Sequence, residues 1–164
     1  MTHPHVYAKL QAEIDATPIL TPVISDSQAR ALPYLQAVIR EGLRIFPPGT
    51  GLRSKTVPPE GDTVDGVFLP GGTNIGSNTW AVLRLKDVYG EDSDVFRPER
   101  WLEATPEKRK EMEQVGDLIF GYGKYRCLGE RVALLEFNKI FFEVCDCWCF
   151  MLKKQKKTDG GMNS

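Results

Sequence analysis

Apolar residues recur at helical spacing near the start of the chain. Val6, Leu10 and Ile14 follow one another at intervals of four residues, and Pro4 suits the first turn of a helix. This spacing predicts a helix over residues 4–15. Shortly downstream, Ser25 and Gln28 have the spacing of a capping box, which predicts the start of a second, short helix.

Two further stretches show helical spacing. The stretch from residue 32 to residue 46 ends at Pro47-Pro48, because proline cannot continue a helix. The residues of its apolar stripe are Leu35, Val38, Ile39 and Phe46. After Cys127 a broader apolar pattern predicts a helix that is buried on most sides. Its apolar residues are Leu128, Val132, Leu135, Ile140, Phe141 and Val144.

The spacing changes between residues 52 and 75, where short apolar runs alternate with glycine and proline. Turns are predicted at Pro58-Pro59-Glu60-Gly61 and at Pro70-Gly71-Gly72, so this part of the chain is predicted to form short strands. Another helical stretch is predicted to begin at Asn78. Residues 90–117 are charged and are predicted to be rich in turns.

Composition excludes some classes of protein. The 164 residues suffice for one domain with a hydrophobic core. With 21 basic and 22 acidic residues the net charge is −1, which argues against binding to nucleic acid. Three of the four cysteines crowd into Cys145-Asp-Cys147-Trp-Cys149, which is more typical of a reducing compartment than of a disulfide framework. No apolar run is long enough to span a bilayer, and no signal peptide is recognisable.

The strongest chemical signal is the segment Phe120-Gly-Tyr-Gly-Lys-Tyr-Arg-Cys127-Leu-Gly129. Its glycines permit a tightly looped backbone. Cys127 is expected at the first turn of the following helix, where free N–H groups and the helix dipole favour a thiolate. Such a thiolate can be a nucleophile, a redox thiol or a metal ligand.

The position of Cys127 relative to other cysteines, histidines and asparagines in the sequence argues against several of these roles. No histidine or asparagine lies nearby to act as the base of a cysteine hydrolase, and no cysteine lies three residues away as in a redox pair or zinc knuckle. A single axial thiolate remains, with Gly129 leaving the backbone open to a flat ligand and Phe120 able to pack on it. This is the pattern of a haem held by one cysteine. The alternative is a glycine-rich turn before a core helix.

A second candidate feature is the pair Glu41 and Arg44, which lie three residues apart and are therefore neighbours on the predicted second long helix. Taken alone, this spacing favours an exposed ion pair that contributes little to stability.

The cysteine segment resembles the haem-binding loop of the cytochrome P450 family, the haem-thiolate monooxygenases. The resemblance lies in Phe120, Gly121, Gly123, Cys127 and Gly129.

The segment departs from the family at Tyr125, where a basic residue usually donates to a haem propionate. The resemblance therefore leaves Lys124, Arg126 and Arg53 as candidates for that contact. We expect Lys124 to make it, because Arg126 adjoins the ligand and the loop can turn its side chain away.

Two more motifs follow in the family's order. Glu41-x-x-Arg44 before two prolines resembles the K-helix motif, and the segment from Phe96 to Trp101 resembles the family's Pro-Glu-Arg-Phe element, with tryptophan in the last place. The resemblance implies that Arg44 and Arg100 both donate to the Glu41 carboxylate. This triad would clamp the meander onto the K helix behind the loop and take no part in the chemistry.

The resemblance covers roughly residues 3–144 and implies a fold that is mainly α with a small β-sheet. It corresponds to the C-terminal (proximal) portion of the cytochrome P450 fold, with J and K helices, β segments, meander, cysteine loop and L helix. We expect a partial domain over residues 1–144 and a divergent, disordered tail over 145–164. The family's I helix and distal wall would precede residue 1, so the chain is expected to be truncated. Its loop is most similar to those of fungal members.

The implied function is monooxygenation of a small organic substrate by haem b, with Cys127 as the axial iron ligand. Electrons would come from NADPH through NADPH-cytochrome reductase. Full-length eukaryotic relatives usually lie on the endoplasmic reticulum membrane, and full activity is expected to need the missing N-terminal half. One alternative is a truncated haem-binding or interaction fragment without turnover, and another is a helical scaffold without cofactor. A soft-metal site at Cys145, Cys147 and Cys149 is a further alternative.

Overall fold

The computed structural model describes residues 3–18, 22–51 and 53–159, without the side chains of Arg53 and of residues 147–159. The helices are α1 (Pro4–Asp15), α2 (Asp26–Arg30), α3 (Pro33–Ile45), α4 (Thr79–Val82), α5 (Lys86–Tyr89), α6 (Arg100–Glu103), α7 (Pro106–Asp117) and α8 (Glu130–Asp159). The strands are β1 (Arg53–Thr56), β2 (Asp62–Val64), β3 (Val67–Leu69) and β4 (Asn74–Ser77). Short 3-10 turns cover Leu118–Phe120 and Gly123–Tyr125.

Local signals explain the first three helices. α1 has the predicted bounds, with its proline in the first turn. Ser25 caps α2 by accepting a hydrogen bond from the Gln28 N–H, and the Gln28 side chain accepts one from the Ser25 N–H, so the predicted capping box is confirmed. α3 stops at Ile45, just before the two prolines.

A helical core joins the two ends of the described chain. Val6, Leu10 and Ile14 of α1 pack with Leu35, Val38 and Ile39 of α3 and with Phe142 and Cys145 of α8. Glu13 fixes α1 to α3, because its carboxylate accepts the N–H groups of Tyr34 and Leu35 at 2.9 and 2.8 Å. These are N–H groups of the first helical turn, which lack partners within the helix.

The described structure is mainly helical with small antiparallel β structure, as predicted. The β segments form two sheets of two strands each, where one small sheet was expected. β1 pairs with β4, with Arg53 opposite Ser77 and Lys55 opposite Ile75. β2 and β3 form a hairpin through Asp65 and Gly66, both at positive φ. A two-residue turn with positive φ at both positions matches the twist of the flanking strands.

The prediction for residues 90–117 was wrong in its second half, because residues 106–117 form helix α7. Thr105 accepts a hydrogen bond from the Lys108 N–H at 3.3 Å, and Pro106 occupies the first turn. α7 is strongly polar and buries only Met112 among its side chains. Met112 packs with Tyr89 and Trp101 in a cluster that sits beside α3.

Within this chain α8 is not buried on most sides. All six of the apolar residues named for this helix are exposed, from Phe141 at 38% to Leu128, just before the helix, at 101%. Within its described side chains α8 buries Asn138, Phe142 and Cys145 instead. Phe46, placed on the apolar stripe of α3, is likewise 71% exposed.

α8 passes without interruption through the proposed boundary at residue 144 and ends at Asp159. The division of the chain at that boundary stays a prediction, and residues 160–164 lie outside the described residues.

Candidate functional site

Glu41 is the centre of a buried charge network. Arg44 donates to both carboxylate oxygens, from Nε to Oε2 at 2.9 Å and from Nη2 to Oε1 at 2.8 Å. Arg100 Nε donates to Oε1 at 3.0 Å. The side chains of Glu41, Arg44 and Arg100 are 0%, 1% and 2% exposed. The exposed pair suggested by the spacing of Glu41 and Arg44 alone is therefore wrong.

The two arginines also hold the backbone that covers α3. Arg44 Nη1 donates to the carbonyls of Leu83 and Ser93 at 2.9 and 2.5 Å. Arg100 donates to the carbonyls of Tyr89, Asp92 and Val95, the last two at 2.9 and 3.0 Å. The network thus fastens the segment from residue 83 to residue 101 onto α3.

Sequence reasoning missed three members of this network, one of which is the Arg97 N–H that donates to Glu41 Oε1 at 2.9 Å. Trp101 Nε1 donates to Glu41 Oε2 at 2.9 Å, and Asp92 Oδ1 accepts from Arg100 Nη1 at 2.9 Å. Tryptophan in place of the phenylalanine of the resembled motif was the available signal, because its indole adds one N–H donor that a phenyl ring lacks.

The charges of the network decide the ionisation of Glu41. Burial by itself raises the pKa of this carboxyl group, but the hydrogen bond and charge of Arg44, the Arg97 N–H and the charge of Arg100 outweigh it. The net shift of the Glu41 pKa is downward, so the carboxylate form is the stable one in the fold.

The cysteine loop begins at Phe120 and closes on itself. The Cys127 N–H donates to the Phe120 carbonyl at 2.6 Å, so the six residues between them form a closed loop. Gly121 has φ +81°, and a Cβ there would lie 2.7 Å from the Tyr125 carbonyl oxygen. Gly123 also has positive φ (+57°), but in open space. The loop therefore requires glycine at position 121.

The thiol itself is exposed. Cys127 lies in the loop three residues before the start of α8, and the expectation that it belongs to the first helical turn is wrong. A Cβ on Gly129 would lie 3.8 Å from the Cys127 sulfur, which is ordinary van der Waals contact. Glycine at 129 therefore keeps one side of the sulfur open.

Leu83 connects the cysteine loop to the buried charge network. Leu83 offers its carbonyl to Arg44, and its fully buried side chain packs with Ile119 and Phe120. Phe120 is buried in this cluster. The start of the cysteine loop is thus held, through Leu83, by the same arginine that binds Glu41.

The basic residues of the loop differ in their partners. Arg126 forms a two-fold hydrogen bond to the Glu130 carboxylate, at 2.6 Å from each nitrogen. Lys124 Nζ lies 5.1 Å from the centre of the Tyr125 ring. The Arg53 side chain lies outside the described residues. The geometry leaves Lys124 freer than Arg126 to meet an added anion.

Among the C-terminal cysteines only Cys145 has a described side chain. Cys145 is buried in the helical core. The side chains of Cys147 and Cys149 lie outside the described residues. Within the described part of the chain, no helix is both long and apolar enough to cross a bilayer.

Sequence comparison decides which family the loop and network belong to. A sequence model of the cytochrome P450 family matches residues 1–158. The chain belongs to the cytochrome P450 family.

Three fungal relatives give the extent of the likeness. The chain is 51% identical to cytochrome P450 monooxygenase ABA1 of Pyricularia oryzae, over 86% of this chain and 28% of that protein. It is 46% identical to cytochrome P450 monooxygenase abl1 of Leptosphaeria maculans, over 87% of this chain and 26% of that protein. It is 42% identical to a cytochrome P450 monooxygenase of Aspergillus terreus, over 94% and 33%.

These relatives confirm the resemblance to fungal members of the cytochrome P450 family. The chain spans between about a quarter and a third of their length. A cytochrome P450 is a haem enzyme, so membership of this family implies a haem cofactor for the whole protein.

Proposed function

We propose that this chain forms the cysteine-ligand part of a haem-dependent monooxygenase, with Cys127 as the axial ligand of the iron. The observation that carries this proposal is the exposed Cys127 thiol at the end of a closed loop, in a chain that belongs to the cytochrome P450 family. All three relatives are named as monooxygenases, which favours this function over a haem-binding fragment without turnover.

The donor chemistry fits a haem. Structural sites for a bare metal ion usually need about four protein ligands. A haem iron takes its equatorial ligands from the porphyrin and needs only one strong ligand from the protein. Cys127 offers one thiol, and Gly121, Gly123 and Gly129 leave the backbone around it without side chains. The porphyrin of haem b has no covalent bond to the protein that holds it. A loop with one cysteine, which would bind the iron, is therefore sufficient for haem b.

The other residues have supporting roles in this proposal. Phe120 fixes the start of the loop and offers an apolar ring beside the cofactor. Lys124 is our choice for a haem propionate, since Glu130 already holds Arg126. Arg53, at the start of β1, is a third candidate cation. Glu41, Arg44 and Arg100 hold the backbone behind the loop and do not touch the reacting atoms.

The element order supports a finer assignment within the family fold. We assign α1 to the J helix, α3 to the K helix, the segment from residue 90 to residue 117 to the meander and α8 to the L helix. The residues up to 144 would then form the partial domain.

When bound, a haem with a thiolate ligand can insert one atom of O₂ into a C–H bond of a substrate and release the other as water. We propose a small organic molecule as substrate, with electrons supplied from NADPH by NADPH-cytochrome reductase. Cys127 would hold the iron and supply electron density to it.

The first prediction tests the ligand. The chain reconstituted with ferric haem, then reduced and exposed to carbon monoxide, should show the strongly red-shifted Soret band of thiolate ligation. Cys127→His should move that band to the position of imidazole ligation, and Cys127→Ala should abolish the thiolate signature. Cys145→Ala is the matched control, because this cysteine is buried in the core and should leave the band in place. A thiolate spectrum that survives in Cys127→Ala assigns the ligand to another cysteine.

A further inference from the structure

A second site is visible beside the cysteine loop. A cavity of about 540 Å³ lies between the strands and the loop. Its walls include Lys55 of β1, Ile75 of β4, Leu83, and Tyr122 and Tyr125 of the loop. Cys127 is not one of the lining residues. Pockets for small molecules commonly measure roughly 300–1,000 Å³, so the cavity is of suitable size.

The walls combine an apolar surface with one cation. Valine, leucine, isoleucine and tyrosine side chains make up most of the lining. Among the described residues that line the cavity, Lys55 is the only one with a charge. A mostly apolar pocket with one charged group orients a ligand that has an apolar body and a single charge of the opposite sign.

Lys55 is held in place by an aromatic ring. Its Nζ lies 3.2 Å from the centre of the Tyr125 ring, so the ammonium group sits on the ring face. A cation–π contact positions the ammonium group without using up its hydrogen-bond donors. In the described part of the chain no carboxylate forms an ion pair with Lys55, whereas Glu130 pairs with Arg126 of the same loop. Lys55 is therefore both positioned and available to an anion.

We propose that this cavity binds the apolar body of an amphiphilic carboxylate, and that Lys55, seated on Tyr125, pairs with the carboxylate group. The carboxylate has two potential sources with the same chemistry. One is a haem propionate, and this source rests on the proposed function. Only the propionate edge of the haem would then enter the cavity, because Cys127, which would hold the iron, does not line it. The other is a carboxylate on a small organic substrate.

The experiment compares acids with their esters. Ferric haem and haem dimethyl ester form one pair of probes, and dodecanoate and methyl dodecanoate form the other. Fluorescence titrations measure the dissociation constant of each probe for the unmodified chain and for Lys55→Met. A charge-assisted contact at a partly exposed site should be worth about threefold to tenfold in affinity. Lys55→Met should raise the dissociation constant of at least one acid by that factor and leave the dissociation constant of the corresponding ester unchanged.

Two variants serve as controls, and a third tests a separate lysine. Lys55→Arg keeps the positive charge and should retain affinity for the acid. Lys110→Met removes the charge of an exposed lysine on α7 that does not line the cavity, and should change nothing. Lys124→Met removes the lysine that the proposed function assigns to a haem propionate, so it should weaken binding of ferric haem and leave the affinity for dodecanoate unchanged. Far-UV circular dichroism shows that each variant retains its helices.

The results distinguish the two sources of the carboxylate, and they test the cavity separately from the proposed function. A loss confined to ferric haem assigns Lys55 to a propionate, and a loss confined to dodecanoate assigns it to a substrate carboxylate. Equal affinities of Lys55→Met and the unmodified chain for both acids overturn the site, as does a loss seen equally with the esters. If the haem complex of the unmodified chain lacks a thiolate spectrum, the proposed function fails, and the dodecanoate titration still tests the cavity.

Discussion

Glu41 is the single side chain on which most of the architecture around the loop depends. Its carboxylate accepts five hydrogen bonds, from Arg44 twice and from the Arg97 N–H, Arg100 and Trp101 once each. Arg44 lies in α3, and the other donors lie in the segment from residue 83 to residue 101 that covers α3. Because the carboxylate is fully buried, its charge depends on the two arginines for compensation.

We expect Glu41→Gln to cost about 3–5 kcal/mol of unfolding free energy, since it leaves the buried Arg44 without its carboxylate partner and Arg100 with only that of Asp92. Denaturant unfolding followed by circular dichroism measures the loss. The double variant Glu41→Gln with Arg100→Met should lose much less than the sum of the single variants, because the partners share one network. Glu91→Gln, which breaks the exposed pair with Lys86, is the control and should cost at most about 1 kcal/mol. Additive losses of a few tenths of a kcal/mol would contradict a buried network.

The next scale is the element, and here the cysteine loop depends on one backbone conformation. Gly121 has φ +81° and ψ −177°, a combination that only glycine adopts readily. The alanine Cβ would also meet the Tyr125 carbonyl oxygen. The loop can hold Cys127 against the Phe120 carbonyl only with this turn intact.

We expect Gly121→Ala to lower the unfolding free energy by more than about 3 kcal/mol, from conformational strain and the steric clash together. Gly123→Ala is a matched control, because it also has positive φ but meets nothing within 4 Å. It should cost only about 1–2 kcal/mol. Ferric haem should also dissociate faster from Gly121→Ala than from Gly123→Ala. Equal effects of the two substitutions on stability and on haem dissociation would show that the clash does not matter.

Helix starts and ends could be predicted from the sequence where a few neighbouring residues determine them. The capping box of Ser25 and Gln28 and the proline stop after α3 act within a few residues, so they could be recognised without the fold. α7 was missed because its apolar residues are few and a polar helix resembles a charged loop in sequence. Its start signal, Thr105 before Pro106, was nonetheless present.

Contacts between distant segments could not be predicted in the same way. The spacing of Glu41 and Arg44 says nothing about burial, which arises because residues 83–101 wrap over α3. The contact between Lys55 and Tyr125 joins β1 to a loop 70 positions further along the chain, so no local sequence pattern predicts it. The apolar pattern of α8 shows which residues are apolar but not which of them the rest of the chain covers.

At the scale of the whole molecule, carboxylates that are ionised in the fold join its distant parts. Glu99 accepts from Lys9 Nζ at 2.7 Å and from the Tyr34 hydroxyl at 2.9 Å, which connects the region before α6 to α1 and α3. Burial raises the pKa of Glu99, but these hydrogen bonds and the charge of Lys9 outweigh it and lower the pKa from 4.5 to about 2. The pKa of Glu41 is likewise lowered, against the opposing effect of burial.

The sign of the pH dependence follows from these shifts. A carboxyl group whose pKa is lower in the fold than in the unfolded chain stabilises the fold fully above its unfolded pKa, here 4.5 for both residues. That contribution is lost as the pH falls toward the folded pKa, which is about 2 for Glu99. Asp117 acts in the opposite direction, because burial raises its pKa above 3.8. The pKa values of Asp26, Asp92 and Glu130 are lowered as well, so the carboxyl groups that lose stability on acidification outnumber it.

We therefore expect the unfolding free energy to change little between about pH 7 and pH 5 and to fall steadily below about pH 4.5. Glu99→Gln should be less stable at neutral pH and should lose less on acidification, because its contribution is already absent. Asp117→Asn, an uncharged mimic of the protonated acid, should make the acid loss steeper, since it removes a group that gains from protonation. Denaturant titrations at a series of pH values measure all three slopes. Stability that stays constant down to about pH 3 in the unmodified chain would show that these carboxylates do not titrate with the fold, and that the charge network does not hold its distant segments together.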